Sequence, residues 1–261
     1  MLISTNYHHF ESKYIVSDPT RALHSRLVFP HNIETIGLAY QYNFKDYSVQ
    51  VSSQFLLHQH KNIGEDFDWK NQELTVYSNS QDTLDSYKHY ELSIFKNIFS
   101  SFSITGNFIY HDIQEHWSNT KQVNYIADNT TLITGKTLEF TQTFYQSSLG
   151  MAYSKEFLKN FIINLNPSFV YSYIYTQDTH ILRNFYTQQS CHTFGYNFKV
   201  SLEKKLTDST TFGVKFQYIK VEDKRTDMRY YTSSSKELFA IYPSSYQYNN
   251  FNFGINYKYK F

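Results

Sequence analysis

The last segment of the chain alternates without error. From Asn250 to Phe261, Phe251, Phe253, Ile255, Tyr257, Tyr259 and Phe261 fall on one side of an extended backbone. Asn250, Asn252, Gly254, Asn256, Lys258 and Lys260 fall on the other. A period of two sustained this long excludes an amphipathic helix, whose apolar positions recur at 3.6. The same pattern runs through Phe194, Tyr196, Phe198, Val200 and Leu202, and through Phe212, Val214, Phe216 and Tyr218. In 161–180 the odd positions from Phe161 to Tyr175 are largely aromatic or aliphatic, while the even ones include Asn164, Ser168, Ser172, Thr176, Asp178 and His180. Weaker alternation marks Phe102 to Tyr110 and Val49 to Leu57, and 2–15, 22–44, 84–99 and 137–155 are strand-like.

About ten strands follow, an even number as single-chain bacterial barrels have. Short turns are expected at Lys45-Asp46, 97–101, 156–160 and 207–210. Long polar loops are expected at 16–21, 60–83, 113–136, 178–190 and 222–245. The fold class predicted is all-β, a ten-stranded antiparallel transmembrane β-barrel with long extracellular loops, one domain over 1–261. Met1-Leu2-Ile3-Ser4 runs straight into strand pattern, so no signal peptide is expected within the chain.

Composition sharpens this. Of 261 residues, 25 are Tyr and 23 Phe, more than one soluble core of this size would bury. Mean hydropathy is -0.53 and no apolar run is long enough for a transmembrane helix. The 24 basic and 23 acidic side chains leave no basic excess for nucleic acid. A single cysteine excludes a disulfide framework. Trp117 and Tyr175 are expected in interfacial girdles. His58 and His60 are expected in the lumen as solvated side chains, and no metal site is expected.

A barrel this narrow encloses mostly side chains and water, which puts chemistry at the rim. Two constellations lie there. Asp66 and Asp68, in E-D-F-D-W, are i and i+2, so both carboxylates share a face and can hold a water between them. Asp178 and His180, in Q-D-T-H, are likewise i and i+2, and a carboxylate beside an imidazole makes it a better base. The pairs come at the outer ends of the third and seventh predicted strands, which could sit across the barrel from one another.

This arrangement resembles the omptin family of outer-membrane endopeptidases, whose active site sets Asp-x-Asp against Asp-x-His across the mouth. Asp66, Asp68, Asp178 and His180 match those positions, and Trp69 fits the residue after the first pair. The resemblance implies peptide hydrolysis by an activated water, without a covalent intermediate. It also implies cleavage of extracellular polypeptides near basic residues, with Glu11 at one acidic subsite position and the uncharged Thr176 at the other. Tyr110 and Asp112 match the strand that binds lipopolysaccharide in the family, with Gln114 in place of an arginine. Val76 to Thr83 replaces the family's tryptophan-rich loop. The expectation is a monomeric aspartic-type endopeptidase of the bacterial outer membrane, its site facing the exterior. It would need no cofactor, with lipopolysaccharide as a lipid partner and activator. The alternative is a non-catalytic barrel acting as an adhesin or peptide-binding scaffold.

Overall fold

The computed structural model describes residues 1–260; Phe261, the last of the alternating series, lies outside the described residues. Eleven strands are formed: β1 (Leu2–Asp18), β2 (Leu23–Phe44), β3 (Tyr47–Gln59), β4 (Asn62–Lys70), β5 (Glu73–Phe99), β6 (Phe102–Asn124), β7 (Asn129–Leu158), β8 (Phe161–His180), β9 (Phe185–Lys205), β10 (Thr210–Thr232) and β11 (Leu238–Tyr259). All pair antiparallel, and β1 pairs with β2 on one side and β11 on the other, closing the ring. β3 and β4 are two pieces of one stave, since β2 and β5 each pair with both. The barrel therefore has ten staves.

The segments expected as long loops are mostly strand. β4 and β5 fill 62–99 almost without a break, and only short turns separate β6 from β7 and β8 from β9. Above the membrane the outer face of a strand meets water, so its polar residues no longer alternate with apolar ones and mimic a loop.

Lower on the barrel, the outward positions form an apolar belt that includes Leu38, Phe55, Leu92, Phe108, Leu149, Phe169, Val214 and Ile255. Its upper edge carries a row of tyrosines, Tyr90, Tyr110, Tyr145 and Tyr173, with successive ring centroids 6.2, 5.4 and 6.3 Å apart. Such rings suit the boundary between hydrocarbon and water. Trp117 is not part of a girdle: it sits on the inward parity of β6, 3% exposed, against Phe29. His58 and His60 are exposed rather than in the lumen, because the register against β2 slips between Glu34 and Thr35 and reverses the facing of β3 beyond Leu56.

Inside, the barrel is divided. A septum of Phe10, Tyr14, Phe29, Phe140, Phe144 and Tyr246 crosses it, each no more than 1% exposed, with Phe29 stacked on Phe140 at 4.2 Å. Below lies a polar cavity of about 420 Å³, lined by residues such as Ser4, Gln54, Glu91, Lys199 and Lys258. Its carboxylates are paired: Lys199 reaches Glu91 at 2.7 Å and Lys258 reaches Glu203 at 2.5 Å. A continuous pore does not fit this interior.

Ile255 pairs with Thr5 and Val214 in the belt. Ile255→Arg should lower stability by about 2–4 kcal/mol, the cost of arginine on a lipid face near the midplane. Lys224→Ala, above the tyrosine row, should change it by less than about 0.5 kcal/mol. Urea unfolding in lipid vesicles checks both.

Candidate active site

Four of the residues singled out in the sequence converge above the tyrosine row. His180 lies seven residues beyond Tyr173, roughly 23 Å along a tilted strand at about 3.3 Å per residue. On β8 the even positions turn inward, so Asp178 is buried and His180 looks into the mouth. Asp178 Oδ2 is 3.1 Å from His180 Nε2, and Phe185 stacks on the imidazole at 4.3 Å. With Nε2 turned to the carboxylate, Nδ1 is the nitrogen left for a reactant.

The opposite wall is β4. Asp66 and Asp68 face in, while Phe67 and Trp69 stack on each other at 5.7 Å. The Arg26 guanidinium lies over both rings, 4.2 Å from Phe67 and 5.4 Å from Trp69. This cation–π contact ties β4 to β2 and fixes the facing of the two carboxylates. Asp68 accepts a short hydrogen bond from the Ser25 hydroxyl, whereas Asp66 Oδ1 is buried with no partner.

Asp66, His180, Leu182, Arg183 and Trp117 together line a cavity of about 70 Å³. Asp66 of one constellation and His180 of the other therefore face one space. Burial, then the neighbouring Asp68 carboxylate, pushes the Asp66 carboxyl up to about 7, against the pull of His180 and Arg183. Burial drags the His180 imidazole down, but the Asp178 carboxylate beside it outweighs that, and His180 ends above its ordinary value. Near neutral pH the site can thus both take up and give back a proton.

Three contributors were not legible in the sequence. Arg183 ends the 3₁₀ turn Ile181–Arg183 that follows β8, and that turn brings it back over the cavity. Tyr230 faces inward only because β10 is irregular between Asp223 and Thr226, which reverses the parity set by Val221. Ser25 acts through its register opposite Asp68. Only the turn carries a sequence signal, Arg183 lying three residues after His180.

Other expectations are placed differently. Glu11 lies between Phe10 and Ser12, both buried and inward, so its carboxylate is on the outer wall and not in the cleft. Moving it inside would require a one-residue slip of β1, which would turn every side chain over. Thr176 does face in, beside a network of neutral hydrogen bonds: Gln142 donates to Ser12 at 2.9 Å, Tyr246 to Gln142 at 2.7 Å, and Gln189 to Ser244 at 2.8 Å. The floor thus lacks both carboxylates that a preference for basic residues was expected to use. Tyr110 and Asp112 lie on the outer wall at the tyrosine row, where Asp112 accepts from Thr143 at 3.1 Å and stands 3.8 Å from Lys88.

The whole barrel superposes on a crystal structure of the outer membrane protease OmpT from Escherichia coli. The TM-score is 0.84 at 13% identity, over 100% of this chain and 96% of that one. The fold is that of an outer-membrane β-barrel. The translocator domain of the autotransporter NalP from Neisseria meningitidis (8% identity, 99% and 88% covered) scores only 0.44. The outer membrane protein OprG from Pseudomonas aeruginosa (9% identity, 99% and 95% covered) scores 0.42. No protein-family model matches the sequence, and no curated protein matches it.

Two outcomes test this geometry. Asp178→Asn should lower the His180 pKa, because the carboxylate that raises it is removed; NMR titration of the imidazole carbons reads this directly. Gly64→Ala should cost about 1–3 kcal/mol, because a Cβ there would meet the buried Trp117 ring at 2.2 Å. Thermal unfolding in detergent measures it.

Proposed function

We propose that the protein is an endopeptidase of the bacterial outer membrane, similar to the omptins, acting at the cell exterior on polypeptides. The observation that carries this is the single cavity shared by Asp66 and His180, with Asp178 behind the imidazole. An adhesin would need acidity at its mouth, but not a carboxylate–imidazole pair aimed at an opposing carboxylate. The overall likeness to a protease barrel supports the same reading.

The chemistry would run through water. His180 Nδ1 takes one proton from a water held against Asp66, and the water oxygen forms a bond to the scissile carbonyl carbon. The carbonyl π pair moves onto oxygen, and the Arg183 guanidinium, which lines the same cavity, receives the charge. As the intermediate collapses, the C–N bond breaks and the imidazolium returns its proton to the leaving amine. Asp66 and Asp68 position the water, and Asp178 orients the imidazole and stabilises its charged form.

Selectivity would differ from cleavage beside arginine. With Glu11 on the outer wall and Thr176 in a hydrogen-bonded network, a basic side chain would not meet carboxylates at the two positions the family uses. The lipid partner would be lipopolysaccharide of the outer leaflet, meeting Tyr110, Asp112 and Lys88 at the tyrosine row.

The test is a mixed peptide library incubated with protein refolded with and without lipopolysaccharide, and read by mass spectrometry. Wild type should cleave, and His180→Ala and Asp66→Asn should each lose about 10²–10⁴-fold. Lowering the pH protonates the base, so kcat/KM should fall as pH drops through a limb lying above the ordinary imidazole value. A library left intact by folded wild-type protein would favour the binding barrel instead.

A further inference from the structure

Beside the septum, where His31 packs on Phe10 at 4.6 Å, three side chains from β2, β5 and β6 meet in the buried interior. His31, Asp82 and Glu115 are 1%, 3% and 2% exposed. Each offers one donor atom, and the three donors lie within 4.8 Å of one another. His31 Nε2 is 2.5 Å from Glu115 Oε2, and His31 Nδ1 is 3.8 Å from Asp82 Oδ2. Yet Nδ1 and all four carboxylate oxygens lack a hydrogen-bond partner.

That is an unusual state for buried charge. Carboxylates removed from water are normally paired with a cation, hydrogen-bonded, or bound to a metal. In the lower cavity the rule is obeyed, with Glu91 on Lys199 and Glu203 on Lys258. Among the described residues, no lysine or arginine forms an ion pair with Asp82 or Glu115, whose only charged contact is His31. With the imidazole neutral and both carboxyls ionised the cluster would carry two negative charges, which one divalent cation balances.

We propose that His31, Asp82 and Glu115 form an enclosed binding site for a divalent first-row transition ion, with Zn²⁺ the ion their donors suit. One nitrogen and two carboxylate oxygens are a common zinc set, and tetrahedral bonds of about 2.0 Å put donors roughly 3.3 Å apart. The donors now lie within 4.8 Å of one another, so side-chain rotations of up to about 1.5 Å bring them to that spacing. A water completes the fourth position. The ligand set shares no residue with the hydrolytic one and the proposal is independent of the function proposed above: Glu115 stands level with Asp178 but two staves away, with Phe140 on the stave between them. Its role is to hold three staves together beside the cleft.

The ion must enter during folding, since the site is buried. The protein is therefore refolded with Zn²⁺, washed with a chelator and assayed for bound metal by elemental analysis. Wild type should keep close to one ion per chain, as should the mouth variant His180→Ala/Asp66→Asn. Asp82→Asn/Glu115→Gln, checked for folding by its heat-modifiable migration, should keep less than a tenth of that and lose the rise in unfolding temperature that Zn²⁺ gives wild type. Refolding wild type with Co²⁺ adds a readout that needs no variant: visible bands of a four-coordinate nitrogen–oxygen site are expected. Metal-free wild type after refolding in Zn²⁺, metal unaffected by the double substitution, or an octahedral aquo-cobalt spectrum would each overturn the proposal.

Discussion

Closure of the hydrogen-bond ring is the constraint on which everything else depends. Within hydrocarbon no water can satisfy a bare backbone amide, so a sheet crossing a membrane must have no free edge. β1 meets this by pairing along fifteen register positions with β11 and along its whole length with β2. A closed ring then enforces strict alternation of side chains, one set to lipid and the other to the interior. The burial of Asp178, the exposure of Glu11 and the apolar belt all follow from that one rule. Where the rule is broken locally, at the slip beyond Leu56 and the irregularity after Asp223, side chains change sides as a group.

The alternation was legible wherever lipid was the outer neighbour. Phe251 to Tyr259 and Phe194 to Leu202 announce both strand and facing, because apolar and polar residues must take turns there. Above Tyr90 and Tyr110 the outer neighbour is water, and strands such as β4 carry charge or polarity on both faces. Composition can no longer distinguish them from loops. Asp66, Asp68, Asp178 and His180 could be found because each pair keeps a spacing of two on one strand. Arg183 and Tyr230 could not, since a turn and a bulge place them. His31, Asp82 and Glu115 come from three strands far apart in sequence, so no local spacing betrays them.

The upper half of the barrel spends its interior on burying polar groups against aromatic ones. Phe185 covers His180, Trp117 covers Gly64 beside the acid pair, and Arg26 clamps Phe67 and Trp69 from outside. The same burial raises the affinity of Asp66 for a proton, so position and protonation have one cause.

The aromatic septum has a consequence for the cell that carries such a barrel. Phe29 stacked on Phe140, with Tyr14 and Phe144 beside them, leaves no water column from one side of the membrane to the other. Ions and antibiotics gain no route through it. Many copies could therefore crowd a membrane without adding electrical conductance, and whatever enters the mouth must leave by the same door.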